Sequence, residues 1–209
     1  MILRYILYMP VMVFPFLAYI LSSSRKRDLI YQDATAAYAV CFPGSVHSKA
    51  IMLVRLLADT KEFRNIFYKR LSGVFCFISR YVLPPLNTFR IMCSDIGGGF
   101  FVELATSTYI NATTIGYNFS AKQNVTVGWN NGKPNIGDNV FIGAGAVVLG
   151  PITIGNNVRI GANATVVDDV PDNAVVVSPK AKVVKILSPK NEEVQSGGGN
   201  ILVCRCLSA

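Results

Sequence analysis

Residues 135–170 read NIGDNVFIGAGAVVLGPITIGNNVRIGANATVVDDV and decide the fold. The stretch divides into six hexapeptides in one frame. A period of six fits neither an amphipathic helix nor a simple alternating strand, and it predicts a solenoid in which one short strand and one turn repeat. The second position of every hexapeptide is aliphatic, and an apolar residue follows four places later. The first column is Ile136, Ile142, Val148, Ile154, Ile160 and Val166; the second is Val140, Ala146, Ile152, Val158, Ala164 and Val170.

The residue types of the repeat have physical reasons. An aliphatic side chain every six residues can point into a narrow shared interior, and successive coils can stack by strand pairing at about 4.8 Å. Gly and Asn between the aliphatics supply turns with positive φ, which cost other residues roughly 1 kcal/mol or more. No single coil buries enough surface to stand alone, so we expect a continuous stack.

The hexapeptides, closed by VVDDVPDNAVVVSPKAKVVK at 166–185, resemble the left-handed parallel β-helix acyltransferases. The arrangement is similar to the serine acetyltransferases and to their relatives in surface-polysaccharide gene clusters, and it extends over roughly residues 94–186. The resemblance implies an all-β left-handed parallel β-helix preceded by an α-helical N-terminal region. It also implies a homotrimer that uses acetyl-CoA, but the acceptor stays open because one fold serves many acceptors.

The charge of the chain is concentrated in its N-terminal part. The formal net charge is +8, from 20 Lys and Arg against 12 Asp and Glu, and residues 1–90 hold twelve basic and four acidic residues. No groove-reading motif accompanies this charge, so we predict no nucleic acid partner and favour anionic lipid.

The 5 cysteines are an odd number without framework spacing, which indicates a reduced cytoplasmic location.

Residues 5–21 read YILYMPVMVFPFLAYIL and carry no charge. At about 1.5 Å per residue such a helix reaches roughly 26 Å, near the short limit for crossing a bilayer. A basic cluster at 25–27 follows at once, which the positive-inside rule places in the cytoplasm. We therefore predict that residues 1–27 form a membrane anchor on the cytoplasmic face. Pro10 and Pro15 leave open a hairpin, a helix lying on the membrane or one packed in an oligomer.

A helical pattern follows, with apolar residues three and four apart from residue 28 to about residue 84. Residues 59–62, DTKE, have the form of a capping box that begins a helix. The aromatic and basic residues mixed along 67–81 suit either a membrane-facing helix or one that packs in a trimer. We divide the chain into the N-terminal segment (1–27), a helical region (28–90), a β-helix transferase domain (91–187) and a flexible tail (188–209).

The irregular coil before the hexapeptides is where the resembling family has its catalytic base. That base is a histidine after a glycine-rich opening, and the matching residue in GGGFFVELAT, residues 97–106, is Leu104. Leucine cannot accept a proton, so Glu103 is a candidate catalytic residue by position. The family's acidic residue before the opening coil matches Met92, and the nearby Asp95 is the second candidate. A carboxylate is a weak base for a hydroxyl unless it is desolvated, and Glu103 can equally be an exposed residue of the coil edge. His47, the only histidine, is the weaker candidate.

Residues 129–135 leave the hexapeptide frame. The resembling serine acetyltransferases have a longer loop at this point, with a histidine that helps to line the active site. The loop of this chain is short and has no histidine. Its Trp129 can stack on a ligand or cover the coil edge.

Small residues of the coil and the lysines after it are the candidate binding site for acetyl-CoA. A flat face of Gly and Ala allows a pantetheine arm to lie against the backbone, although every hexapeptide solenoid has such residues. The resemblance places two lysines near the phosphates of the bound co-substrate. No metal is predicted, because the cysteines at 204 and 206 lack further ligands. The candidate binding residues are Gly143, Ala144, Gly161, Ala162, Lys180 and Lys182.

Two functions remain open from the sequence. The first is an acetyl-CoA-dependent O-acetyltransferase, similar to serine acetyltransferase, that acts on a small-molecule or glycan acceptor through a serine or sugar hydroxyl, for example in surface polysaccharide synthesis. The second is a catalytically inactive homologue that serves as a trimeric scaffold or binding module. Leu104 motivates the second.

Overall fold

The structure is a computed structural model that describes residues 2–44, 48–180 and 182. Within these residues, five helices precede fourteen short strands. The helices are α1 (Ile2–Ile20), α2 (Ser24–Cys41), α3 (Lys49–Asp59), α4 (Lys61–Arg70) and α5 (Val74–Val82). The strands are β1 (Phe89–Ile91), β2 (Asp95–Ile96), β3 (Phe101–Val102), β4 (Thr108–Ile110), β5 (Thr114–Ile115), β6 (Ser120–Ala121), β7 (Thr126–Gly128), β8 (Asn135–Ile136), β9 (Phe141–Ile142), β10 (Val147–Leu149), β11 (Thr153–Ile154), β12 (Arg159–Ile160), β13 (Thr165–Val166) and β14 (Val175–Val176).

The strands stack into three parallel sheets, and each coil contributes one strand in turn to each sheet. The first sheet has the order β1-β4-β7-β10-β13, the second β2-β5-β8-β11 and the third β3-β6-β9-β12-β14. Val148 pairs with Val166, and Ile136 with Ile154, so each partner lies three hexapeptides further along the chain. The predicted left-handed parallel β-helix with a preceding helical region is confirmed.

The interior of the β-helix is filled by both predicted apolar columns. All twelve column residues of the hexapeptides are at most 7% exposed. The earlier coils use larger side chains for the second column, because Phe100 and Phe119 stand where the later coils have Val140 and Val158. The rings of Phe100 and Phe119 are stacked with centroids 5.2 Å apart. These aromatic residues fill the end of the β-helix that is nearest to the helical region.

Asparagines form a ladder along one corner of the β-helix. Asn118, Asn139, Asn157 and Asn173 all have positive φ, between 55° and 62°. The amide of each donates to the side-chain oxygen of the next, at 2.9, 3.0 and 3.0 Å. Asn tolerates the left-handed conformation better than branched residues do, so it suits the turn at this corner. The ladder also gives the side-chain amides hydrogen-bond partners.

The helical region has its own core around α4. Phe63, Phe67 and Tyr68 are at most 2% exposed. In contrast, Phe77 and Tyr81 on α5 are 63% and 77% exposed. The aromatic residues of 67–81 therefore divide into an internal and an external group. Helix α4 begins after Thr60, which confirms the predicted helix start, and Thr60 as its N-cap makes no side-chain hydrogen bond to the helix.

A buried ion pair joins the helical region to the first coil. The guanidinium of Arg70, at the end of α4, donates to Asp33 on α2 from Nε at 2.9 Å and from Nη2 at 3.2 Å. It also donates to the carbonyls of Ile96 and Gly97, both at 2.5 Å. Asp33 in turn accepts the Phe100 N–H at 2.8 Å. Helix and coil thus share one set of hydrogen bonds.

The remaining predictions on the domain divisions have these outcomes. The first strand of the coil begins at Phe89, just before the predicted boundary at residue 91. Among the residues whose placement the structure describes, no helix combines the length and apolarity needed to cross a membrane. The anchor at 1–27 stays a prediction. His47, Cys204, Cys206 and the predicted tail at 188–209 lie outside the described residues.

Candidate functional site

A cleft lies where the helical region meets the first coil. Its volume is about 370 Å³, and it opens beside the residue that matches the family histidine. The end of α2, the turn between α3 and α4, and strand β3 with the residues after it form its walls. The lining residues are Val40, Cys41, Phe42, Asp59, Thr60, Glu62, Phe101, Val102, Glu103 and Leu104.

Leu104 and Ala105 are additional residues of the first coil. Glu103 and Thr106, on either side of them, stack on residues 122 and 123, which are adjacent in the next coil. Two backbone hydrogen bonds fix this alignment: the Glu103 N–H donates to the Ala121 carbonyl, and the Asn124 N–H donates to the Thr106 carbonyl. Leu104 therefore stands out from the regular path of the coil. It has a φ of 52° and its side chain is 61% exposed. An exposed leucine in the left-handed region is strained by roughly 1 kcal/mol or more.

Glu103 forms an ion pair with Lys122. The carboxylate and the ammonium are in direct hydrogen-bonding contact, with side chains 34% and 38% exposed. The contact follows from the register of the third sheet, because Val102 pairs with Ala121 and each charged residue comes next in sequence. Glu103 is therefore neither an isolated coil-edge carboxylate nor a desolvated base. It is a carboxylate held in place by a lysine at the mouth of the cleft.

The helical wall of the cleft adds a thiol and two further acidic residues. Burial raises the pKa of the Cys41 thiol, the carboxylates of Glu62 and Glu103 raise it further, and a hydrogen bond with Thr60 lowers it. The thiol therefore stays protonated near neutral pH, which makes it a poor nucleophile. The proton acceptors of the cleft are its carboxylates, from Asp59, Glu62 and Glu103.

Asp95 does not share the cleft with Glu103. It begins β2 in the second sheet, and its residue is exposed. Glu103 follows β3 in the third sheet. The two candidate catalytic residues that the sequence suggested together are thus separated onto different faces of one chain.

The small residues suggested for acetyl-CoA stack on one another in the third sheet. A Cβ on Gly143 would lie 2.6 Å from the Ala162 backbone nitrogen, and a Cβ on Gly161 would lie 3.1 Å from a methyl of Val177. The close stacking of coils therefore explains both glycines without a ligand. Glu103, Lys122, Gly143 and Gly161 occupy one column, so the ion pair and the small-residue face are continuous along the corner.

The two candidate lysines belong to another part of the chain. Residues 1–178 form one compact unit and 179–209 a second. Lys180 and Lys182 lie in the second unit and are exposed. Trp129, in the short loop after β7, is 65% exposed. The structure therefore shows the tryptophan uncovered by its own chain, with its indole accessible.

Sequence reasoning missed the helical half of the cleft and the partner of Glu103. Cys41, Thr60 and Glu62 come from helix ends whose positions only tertiary packing determines. Lys122 follows Ala121 as Glu103 follows Val102, but the two charged residues are 19 positions apart instead of the 18 of three hexapeptides, so counting in the hexapeptide frame does not pair them.

The fold agrees with that of known proteins. The family described as bacterial transferase hexapeptide (six repeats) matches residues 133–168. A colanic acid biosynthesis acetyltransferase of Escherichia coli K12, WcaB, is 43% identical over 96 residues, which cover 43% of this chain and 59% of that protein. This chain thus aligns with only 59% of the length of that relative.

A second relative covers more of the chain. The serine acetyltransferase of Helicobacter pylori 26695 is 41% identical over 176 residues, or 78% of this chain and 97% of that protein. The crystal structure of Neisseria gonorrhoeae serine acetyltransferase in complex with serine superposes with a TM-score of 0.59 and 25% identity, covering 80% of this chain and 73% of that one. The similarity therefore includes the helical region as well as the β-helix.

Proposed function

Because the chain belongs to the serine acetyltransferase family of hexapeptide-repeat transferases, we propose that it is an acetyl-CoA-dependent O-acetyltransferase whose acceptor site is the cleft beside Glu103. The observation that carries this proposal is the cleft itself. It has a volume of about 370 Å³, it lies between the helical region and the first coil, and it contains the residue that matches the family's catalytic position. A cleft of this size accommodates a serine or one sugar unit.

Glu103 is the group that we assign to proton transfer. The acceptor hydroxyl gives its proton to the Glu103 carboxylate while its oxygen attacks the thioester carbonyl of acetyl-CoA. The tetrahedral intermediate then releases the thiolate of coenzyme A, which takes the proton back. Lys122 orients the carboxylate through the ion pair, and entry of the acceptor into the cleft removes water from both groups.

The donor is proposed to lie along the corner that continues from this ion pair. The column beyond Lys122 continues with Gly143, which is buried, and Gly161, which is half-buried, so neither adds a side chain to the wall along which we place the pantetheine arm. Ala144 and Ala162 follow them in sequence. Lys180 and Lys182 are exposed residues of the second unit, and only the resemblance to the family makes them candidates for contacts with phosphates.

The remaining parts of the proposal concern acceptor, assembly and location. The acceptor is a serine or a sugar hydroxyl, as the names of the two relatives suggest. We propose a homotrimer, the assembly that the resemblance implies. Attachment to the cytoplasmic face of the membrane through residues 5–21 completes the proposal.

The test is release of free thiol from acetyl-CoA by the purified full-length chain, over a panel of L-serine and sugar acceptors. We expect release at least tenfold above the acceptor-free background for one acceptor class. Glu103→Gln should lower turnover by roughly 100-fold or more, which is typical for loss of a general base. Asp168→Asn is the matched control, because it neutralises an exposed carboxylate of the last coil outside the cleft.

Leu104→His supplies the missing family residue and makes a negative result informative. If the wild type releases no thiol and Leu104→His does, the chain has the fold and binding sites of the family without its activity. If neither protein releases thiol with any acceptor, the proposed acetyl transfer is wrong for this chain.

A second function, a catalytically inactive trimeric scaffold, is favoured by one specific observation. The position of the family histidine is a leucine, and the neighbouring Glu103 carboxylate is engaged by Lys122. Turnover in the wild type that Glu103→Gln abolishes would exclude this second function.

A further inference from the structure

Helix α5 presents an apolar face away from the protein. Val74, Phe77 and Tyr81 are three and four residues apart and therefore lie on one side of the helix. They are 64%, 63% and 77% exposed. The opposite side of α5 packs inward through Cys76, which is 4% exposed. A short helix with apolar residues on its outer side is unusual for a surface that faces only water.

The apolar face continues onto the end of α1. Leu21, just after α1, is 68% exposed and lines the same surface cleft as Val74. The rings of Phe77 and Tyr81 contact each other, with centroids 5.4 Å apart. We refer to Leu21, Val74, Phe77 and Tyr81 together as the α5 patch. Two large aromatic side chains thus form its centre.

Basic residues lie next to the α5 patch in the cleft or along the chain. Lys26 lines the cleft that contains Leu21 and Val74, and its ammonium donates to the Ser72 hydroxyl at 3.4 Å. Arg25, one residue earlier, is exposed. Arg80 precedes Tyr81 and is exposed, although one guanidinium nitrogen donates to the Tyr68 carbonyl at 3.2 Å.

Acidic residues are scarce around the patch. In the stretches 20–30 and 71–83 together, Asp28 is the acidic residue, against Arg25, Lys26, Arg27 and Arg80. These two stretches, which contain all four patch residues, therefore carry a net charge of +3.

We propose that the α5 patch docks the chain onto the surface of an anionic lipid bilayer, with α5 lying in the plane of the interface. Phe and Tyr rings with exposed faces suit the boundary between acyl chains and headgroups. Lys and Arg at the rim are attracted to anionic headgroups, and this attraction selects lipid over a neutral apolar partner. The inference concerns α5 and does not depend on the acetyltransferase activity.

The docking is tested by flotation of the full-length chain with vesicles of phosphatidylcholine alone and of phosphatidylcholine with about one-third phosphatidylglycerol. The bound fraction should be higher by roughly tenfold on the anionic vesicles at low salt, because each basic residue adds to the attraction. Arg25→Gln with Lys26→Gln should remove most of this preference.

The aromatic pair is tested separately, since residues 5–21 could hold the chain on a vesicle without α5. Phe77→Ser with Tyr81→Ser should lower the vesicle partition coefficient by at least tenfold. Trp129→Ser is the matched control, because it removes an exposed aromatic residue from the coil and should leave the binding unchanged. Binding of the double variant equal to that of the wild type would overturn the proposal. So would a change in its mass by light scattering, which would make the patch an interface between copies.

A second measurement covers a double variant that does not fold. Trp129 is the only tryptophan of the chain, so Trp129→Phe with Phe77→Trp places one fluorescent reporter in the patch. Anionic vesicles should shift its emission to shorter wavelength, and brominated acyl chains should quench it. Emission that neither vesicles nor bromolipids alter means that the patch stays in water and that the proposal is wrong.

Discussion

Asp33→Ala tests how the helical region is held against the β-helix. The Asp33 side chain is 1% exposed and that of Arg70 is 8% exposed, so the pair is shielded from solvent. The substitution leaves the guanidinium without its counter-charge and leaves the Phe100 N–H without its acceptor. Removal of one partner of a buried ion pair costs roughly 3–5 kcal/mol. Arg70 keeps two carbonyl acceptors, at Ile96 and Gly97, so we expect about 4 kcal/mol in the free energy of unfolding.

The assay is urea unfolding followed by circular dichroism. With a slope of about 3 kcal/mol per molar urea, a loss of about 4 kcal/mol lowers the midpoint by roughly 1.3 M. Lys122→Gln is the control, because it breaks an ion pair whose side chains are 38% and 34% exposed. Exposed pairs contribute about 1 kcal/mol or less, so the control should shift the midpoint by no more than about 0.3 M.

A double-mutant cycle separates the pair from the packing of its two side chains. Asp33→Leu with Arg70→Met replaces the pair by apolar groups and should be less destabilising than either single change, because each single change leaves one buried charge and the double variant leaves none. The reasoning is refuted if Asp33→Ala moves the midpoint by less than about 0.5 M, or if the two single changes are additive in the double variant.

Two further predictions concern a buried phenol and the asparagine ladder. Burial raises the pKa of Tyr68 to about 12 from an ordinary value near 10, and its hydroxyl donates to the Leu83 carbonyl at 2.9 Å. The free energy of unfolding that depends on this raised pKa is fully present below pH 10 and is lost as the pH rises toward 12. Tyr68→Phe should therefore reduce the alkaline fall of the urea midpoint between about pH 9 and 11.5. An unchanged dependence of the midpoint on pH would contradict the assignment. Asn139 has a φ of 56° and hydrogen-bonds to both neighbours in its ladder. Asn139→Ala should therefore lower the free energy of unfolding by about 1–2 kcal/mol, and Asn139→Gly should lower it clearly less. Equal shifts in the melting temperature of the two variants would exclude backbone strain as the cause.

The hexapeptides predict the β-helix well because three of them make one coil, so residues that recur every six positions lie in columns when the coils stack. Each aliphatic at a fixed interval becomes a buried column, and each Asn or Gly between them becomes a corner with positive φ. Local pattern is sufficient in the hexapeptides because the neighbours of each residue are set by counting. The Glu103–Lys122 contact is outside this rule, because the two residues are 19 positions apart instead of the 18 of three hexapeptides.

The helical half of the site could not be predicted in this way. Helix positions follow from the 3.6-residue period, but the direction in which helices pack depends on contacts distant in sequence. The Asp33 carboxylate meets the Phe100 N–H across 67 residues, and no pattern near either residue indicates it. For the same reason Cys41 and Glu62 in the cleft had no signal. Asp95 illustrates the converse, because it is close to Glu103 in sequence and lies on another sheet.

The shape of the first coil bears on whether the cleft is active. Elsewhere in the β-helix, positive φ is assigned to Asn, Gly or Ser, and Leu104 is the exception among the residues with positive φ that the structure describes. A coil built only for stacking would connect Glu103 to Thr106 directly, as the next coil does at 122–123. The first coil instead keeps two additional residues and accepts a strain of roughly 1 kcal/mol at an exposed leucine. Strain of this kind persists where surrounding structure requires the backbone path, and here that path forms one wall of the cleft. The backbone that forms this wall of the proposed acceptor site is therefore present although a leucine stands at the family's histidine position, and our proposal assigns proton transfer to the Glu103 carboxylate beside it.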